Sequence, residues 1–595
     1  MTIKKEVFVD LQEKYEKVIK LVEEDSKLDP ETEPYLSKYS ARQILIGMKA
    51  NIENLRRNQS TETMCELKLT AMLGAVYLYL GMVSIDTEEL STGEKHLEKC
   101  KEVIEQYEME PELILVAMNM YNQFGILWSQ REPEKSKIYL NKAQELYLHY
   151  KEKSTPPIDI SDLFKVNLET SDTAVSQKNF EKVYTFTLYY LAQIYGVMKD
   201  ALKSSIYCHI TLQRQLEMTD YDPIDWALNA ATLSQFFMEQ NGFKQARHHL
   251  AASSFILEKY EKELNEMTER NEAYDALIET FKHRSADVAR CWTKYGICLL
   301  SKSKERLLHH TEELHEKCTL SCDLSKLKLT SDSTISTDDL SHLDFEGIDV
   351  SSHENQIADK FILTIDDARK VFRNAHQWSV KAQQYYALDT LASDYIEIVL
   401  DQTQLYLNLL FFEENPDNQA KLHKRRIDLL ENILNRVNSK YYLQYCRKVW
   451  FELARTYADI LDIKSEKLRN TKERPTPQAL TKVNNLVEKA IFHYSNFINS
   501  FKDSVTGDFP SKLQEDAEKA FLQAYFHVAA LYGRFVTLDK EMQLKNTEAS
   551  LKNYNFVTSY CDRNDEAKNL ISMEYGICKE MTTLLPVKIL KIKGS

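Results

Sequence analysis

Glycine is scarce in this sequence, with 13 residues among 595, where ordinary usage is roughly 7%. A large sheet protein or an α/β enzyme needs glycine for tight turns and phosphate loops, so both classes lose ground. Proline is as rare, at 12. No phosphate-cradling glycine loop, no His-Glu-x-x-His and no Gly-x-Ser-x-Gly occurs, so the usual catalytic signatures are missing and no enzyme is expected. The ten cysteines are scattered, most of them inside apolar helical faces (Cys65, Cys100, Cys208, Cys291, Cys298, Cys446, Cys578). In a chain neither small nor loop-rich, they do not read as a disulfide framework. The first residues, MTIKKEVFVDLQEKYEKVIKLVEE, carry acids throughout, unlike a signal or transit peptide. No uninterrupted apolar run approaches the roughly 18 residues of a membrane span, and the terminal KIKGS has no prenylation cysteine. The expectation is a cytoplasmic protein without membrane insertion.

Leu, Lys, Glu, Ala and Tyr dominate instead, a helix-favouring mixture. Lys plus Arg total 76 against 90 Asp plus Glu, a net charge of −14. Acidity of this size keeps a large protein soluble and repels nucleic acid and anionic lipid, while it steers a basic partner inward.

The residues that are present repeat. A tetratricopeptide unit is two antiparallel helices in about 34 residues, with small residues where the helices touch and large ones filling the gaps. Helix A shows large, small, then an aromatic three positions on. Helix B shows small, large four later, small three later. Leu191, Ala192 and Tyr195 with Ser204, Cys208 and Thr211 fit this spacing. So do Leu233, Ser234 and Phe237 with Ala246, Leu250 and Ser253, with Gly242-Phe243 turning between them. Phe124, Gly125 and Trp128 lead to Ser136, Leu140 and Ala143 after a shortened turn, and Leu73, Gly74 and Tyr77 lead to Gly93, Leu97 and Cys100 after a lengthened one. Val528, Ala529 and Tyr532 with Ser550, Tyr554 and Val557, and Leu453, Ala454 and Tyr457 with Ala490, Tyr494 and Phe497, are looser matches towards the C-terminus. The spacing predicts an all-α fold, an α-solenoid of tetratricopeptide-like helical hairpins in two subdomains, each hairpin stabilised by stacking on its neighbours.

Composition changes between the halves. Residues 319–357 are dense in Ser, Thr and Asp without helical periodicity, which predicts a disordered or flexible insertion. The expected organisation is an N-terminal solenoid over 1–305, a flexible insertion over 306–360 and a C-terminal helical-hairpin domain over 361–595. Helical patterning resumes at Ile362 and is expected to stop at Pro586, with a loop at Lys472–Pro477. The cluster His309, His310, His315, Cys318 and Cys322 has part of a zinc spacing. It lacks the paired short elements and small core of a structural site, so it reads as a helix end with chance neighbours, and no metal or other cofactor is expected. His423-Lys424-Arg425-Arg426 reads as a solvated helix face, flanked by Glu413, Glu414, Asp428 and Glu431.

The repeat register also points to a binding face. Residues just before the large position and just after the small one face the groove: Tyr189, Tyr190 and Gln193, then Ala231, Thr232 and Gln235, with Arg214 and Gln215 at the loop edge. Packing of Tyr189 between repeats is the competing reading. The expected contacts are Tyr190, Gln193, Gln215, Thr232 and Gln235, an amphipathic lining suited to a protein surface rather than to a small-molecule substrate. A carboxylate clamp of the chaperone-binding kind needs Lys, Asn and Arg at positions that hold Asn122, Ile126, Tyr189, Gln193, Ala231 and Gln235, so that use is not expected.

Several segments resemble the kinesin-binding protein family. They are Pro34-Tyr35 with Ser37–Arg42, Asp86–Leu90, Gly125–Ser129, Phe180–Tyr184 continuing into Leu188–Gln193, Trp226-Ala227 with Asn229–Phe236, Ala289–Trp292, His423–Arg426 and Leu584–Pro586. Their order is preserved along nearly the whole chain, while residues 300–360 depart from the family pattern. The resemblance implies an α-solenoid in which a linking helix, within 1–305, joins an N-terminal repeat domain to a C-terminal helical domain, and whose concave face clasps kinesin motor domains of the kinesin-3 and kinesin-8 types. It also implies that the helix with which the motor grips its microtubule is covered, so that the protein, cytoskeleton-associated, regulates axon growth and organelle and mitochondrial transport. The alternative is a general helical-repeat scaffold or cargo adaptor that inhibits no motor.

Overall fold

The computed structural model describes residues 5–58, 63–153, 155–165, 172–268, 270–312, 343–470, 475–503, 506–510 and 513–594. Among them every regular element is helical. They fall into two compact units, one within Met1–Phe237 and Leu324–Asp349, the other within Met238–Asp323 and Val350–Ser595.

The first unit contains α1 (Lys5–Glu23), α2 (Leu36–Asn58), α3 (Thr63–Asp86), α4 (Leu90–Ile104), α5 (Ile114–Trp128), α6 (Pro133–Lys151), the short α7 (Ile160–Leu163), α8 (Thr173–Val197) and α9 (Ala201–Met218). Helix α10 (Pro223–Glu239) follows. Within the first unit the hairpins predicted from spacing form as α3 with α4, α5 with α6 and α8 with α9, and each A helix also packs on the next: α3 on α5, and α5 on α8. The small positions are close contacts. A Cβ on Gly125 would lie 2.5 Å from Leu140, and one on Gly74 would lie 2.6 Å from Ile104. The first small residue of helix B is often serine because its hydroxyl donates to the carbonyl of the small residue in helix A. Ser136 donates to Gly125 (2.6 Å) and Ser204 to Ala192 (2.8 Å).

Helix α3 departs from the expectation about apolar runs. Glu66–Asp86 is long and apolar enough by composition to cross a membrane, yet 72% of that window is buried inside the protein. It is the core helix of its unit, covered by α2, α4 and α5, which is why it is apolar all round.

The second unit holds α11 (Phe243–Glu266), α12 (Glu272–Glu312), the one-turn α13 (Ser351–Glu354), α14 (Ile365–Tyr385), α15 (Ala392–Phe412), α16 (Pro416–Arg436), α17 (Leu443–Asn470), α18 (Pro477–Asn499), α19 (Glu515–Tyr532), α20 (Lys540–Cys561), α21 (Asp565–Leu570) and α22 (Ser572–Gly594). The looser C-terminal matches are also hairpins, α17 with α18 and α19 with α20. Ser550 repeats the serine device, donating to Ala529 at 2.7 Å. Helix starts use the scarce prolines where a missing N–H costs nothing, at Pro416 and Pro477. Asn415 and Thr476 cap them from the preceding position. Pro586 does not end α22, which continues to Gly594. It sits at an exposed position on the helix.

Helix α12 spans 41 residues, about 60 Å at 1.5 Å per residue, and packs along α14 and α15. Gly296 sets the closest approach, since a Cβ there would lie 2.4 Å from the Cβ of Ala375. That atom is fixed to its backbone and cannot rotate away. Gly296→Val is therefore expected to destabilise the second unit by about 2 kcal/mol through overpacking. Gly47, exposed in the middle of α2 with open space around it, should respond oppositely, Gly47→Ala adding up to ~1 kcal/mol. Thermal unfolding of the two variants checks the contrast in sign.

Residues 313–342 lie outside the described residues. From Leu343 onward the segment expected to be flexible is packed. In the first unit Leu343 and Phe345 are buried, and Phe345 lies 5.0 Å from the Trp226 ring and 4.6 Å from His209. In the second unit Val350 and Ile357 are buried, His248 meets Glu354 at 2.9 Å, and Arg247 pairs with Asp359 at 2.9 Å. The apolar anchors come at irregular intervals, as an extended strap requires, and so leave no helical period in the sequence.

Candidate protein-binding face

Helix α8 is built around its buried stripe, Phe180, Tyr184, Leu188, Leu191, Ala192 and Tyr195. The opposite side repeats at helical spacing as Phe186, Tyr189, Gln193 and Val197, all exposed. Phe186 is 49% and Tyr189 43% exposed, a pair of large aromatic side chains about half open to solvent among the described residues. Tyr190 is half-buried against the core, and burial, followed by Tyr189 and Asp86, pushes its phenol up. Its ring meets that of Tyr189 edge to face at 5.4 Å and so restrains it. Of the two adjacent tyrosines, Tyr189 is therefore the more exposed and Tyr190 the more covered. Phe186 was missed by the repeat rule, which looks only next to the signature positions; its spacing of three from Tyr189 was the available signal.

On α10, Thr232 and Gln235 are exposed, as expected, while Ala231 is buried. Gln215 is half-buried near the end of α9, next to Arg214, which fastens α9 to α8. The Arg214 guanidinium donates to Thr185 Oγ1 (3.1 Å) and to Glu181 Oε2 (2.5 Å), and Tyr147 donates to the same carboxylate oxygen at 2.6 Å. Burial acts to raise the Glu181 carboxyl, but the Tyr147 and Arg214 hydrogen bonds outweigh it and hold it below its ordinary value. Arg214 also lies 4.7 Å over the Tyr184 ring. Asn122, the one residue of clamp type, is buried and internal: Thr187 donates to its Oδ1 (2.9 Å), and its amide donates to the Val183 carbonyl (3.3 Å).

The chemical clusters read from the sequence resolve differently. Of the His/Cys group only His309, exposed on α12, has a described side chain, and His310, His315, Cys318 and Cys322 fall outside that description. Among the described residues no three His, Cys, Asp or Glu side chains are grouped to hold a metal. The basic run on α16 is not the solvated face expected of it. Lys424 and Arg425 are exposed, but His423 and Arg426 are buried. Arg426, fully buried, pairs with Glu452 and lies 3.8 Å from Asp459 on α17. It also donates to His423 Nδ1 at 3.0 Å. The helical period puts residues 423 and 426 on one side and 424 and 425 on the other.

Hairpins stacked on small residues, with an apolar and amide-rich row left uncovered, define a helical-repeat protein of the kind that presents a surface to other proteins. The family model described as "KIF-1 binding protein C terminal" matches residues 224–592. The chain is 36% identical over 595 residues to the KIF-binding protein of Gallus gallus, covering 98% of this chain and 97% of that protein. It is 34% identical over 601 residues to that of Drosophila melanogaster (100% and 98%) and 34% over 612 residues to that of Homo sapiens (98% of each). The chain belongs to the KIF-binding protein family.

Proposed function

We propose that this chain binds kinesin motor domains and blocks their attachment to microtubules, acting as a non-catalytic regulator of axonal and organelle transport in the cytoplasm. The observation that carries the reading is similarity along the full length, at 34–36% identity, to proteins named for binding KIF motors. Charge supports it, because the net −14 complements the basic surface that a motor presents to its acidic track. The proposed contact set on the first unit is Tyr189, Gln193, Thr232 and Gln235, flanked by Tyr190 and Gln215. Motors of the kinesin-3 and kinesin-8 types are the proposed partners.

Microtubule pelleting tests it. Adding this protein to a motor domain bound to microtubules should move the motor into the supernatant. The exposed pair Tyr189→Ala with Gln193→Ala should raise the concentration needed by at least about tenfold, the size expected for losing an aromatic anchor, with melting temperature unchanged. Full potency in the double variant would place the contact elsewhere. Co-pelleting of this protein with a track-bound motor would favour a cargo adaptor.

A further inference from the structure

The second unit carries a basic groove on an acidic protein. Helices α16 and α18 both pack on α17, and side chains from all three line a cavity of about 960 Å³. Each helix contributes one face at helical spacing: 417, 420, 421, 424 and 427 on α16; 457, 460, 464, 467 and 468 on α17; 479, 482, 483, 485, 486 and 489 on α18. Six of the lining residues are lysines, Lys421, Lys424, Lys464, Lys467, Lys482 and Lys489, against the single acid Asp417.

Carboxylates offset only part of this charge. Lys464 and Lys467 share Asp417, at 3.4 and 2.9 Å, and Lys424 meets Asp428 at 2.7 Å. Lys421, Lys482 and Lys489 have no ion pair among the described residues. The lining is also layered. Ile427, Ile460 and Val483 are buried, Leu468 and Leu486 half-buried, while five of the six lysines are exposed and Lys464 is half-buried. Long lysine stems therefore stand over an apolar floor with their ammonium groups outermost.

We propose that this groove is a docking site for an acidic peptide bearing apolar anchor side chains. Carboxylates would meet the lysine rim and the anchors would reach the floor, whose volume accommodates several side chains. Charge complementarity selects the sign of the partner: the chain as a whole, at a net −14, repels such a peptide, while the lysine rim attracts it. A planar anionic membrane could touch the rim but not the recessed floor. The site involves none of the elements proposed to contact a motor.

The test uses the full-length protein and a fluorescein-labelled peptide with leucines at i, i+3 and i+7 separated by glutamates, followed by fluorescence anisotropy. Saturable binding weakened by salt is expected. The combined Lys421→Glu, Lys482→Glu and Lys489→Glu variant should lose at least about tenfold in affinity. A peptide with serines for the leucines should lose as much, and one with lysines for the glutamates should bind the reversed variant no more weakly than the parent. Circular dichroism melting of the variant should match the parent, since the three lysines are exposed and unpaired. No saturable binding, equal binding by the reversed variant, or equal binding of the serine peptide would each overturn the proposal. Sedimentation with phosphatidylserine vesicles through the same lysines, without peptide binding, would replace it with a membrane contact.

Discussion

Arg426→Ala should destabilise the second unit by about 3–5 kcal/mol, the cost of breaking a buried ion pair from one side. Arg426 is 0% exposed and is the shared cation of Glu452 and Asp459. Its removal leaves two partly buried carboxylates without their shared cation and takes from His423 Nδ1 the N–H that it accepts. Arg426→Met with Glu452→Leu should cost less than Arg426→Ala alone, because one of the stranded charges goes with the guanidinium. Thermal and urea unfolding followed by circular dichroism distinguish these outcomes. A shift of less than about 1 kcal/mol for Arg426→Ala would mean that water reaches the carboxylates and that the network is peripheral.

Acidification should weaken the same unit before most carboxylates titrate. Burial, then Arg426 and Arg455, lowers the His423 imidazole to about 3. His493, stacked on Tyr457 at 5.6 Å, is lowered to about 4, chiefly by burial, with Lys489 adding to the effect and Glu431 opposing it. A folded-state value below the ordinary 6.5 means that the unfolded chain takes up the proton first. The stability contribution is therefore complete above about pH 6.5 and falls as pH drops towards the folded values. At pH 5 each histidine should have cost about 2 kcal/mol. Asp459, raised by burial, works in the opposite direction, so the comparison that isolates a histidine is His493→Phe. Both His493 ring nitrogens lack hydrogen-bond partners, and phenylalanine keeps the stacking without the polar atoms. The variant should melt higher than the parent at pH 7, with the gap widening by about 2 kcal/mol at pH 5. A constant gap would exclude His493 titration.

The hairpins were legible because their signature is local. Gly125 with Ser136 and Ala192 with Ser204 occupy the small positions, and the structure places each pair in contact across one turn. Helix-to-helix closeness constrains size at fixed spacing, so it writes a periodic record. The same register correctly left Gln193, Thr232 and Gln235 exposed. It could not choose between Tyr189 and Tyr190, since adjacent residues differ by about 100° around a helix and the neighbouring helices decide which is covered. Pro586 misled for a similar reason, because whether a proline ends a helix depends on what surrounds the freed carbonyl.

Composition, residue spacing and the order of the matching segments by themselves determined that this is an all-helical repeat protein of the KIF-binding family. Those properties are set by helix propensity and by contacts between residues near in sequence. Tertiary structure alone decided the rest. It buried Arg426 and His423 within a run that reads as solvent-facing, packed the polar strap from Leu343 onward, and gathered lysines from three helices over one apolar floor. Each depends on which side chains distant in sequence share a site, and burial then sets the energy of a charge according to what stands beside it.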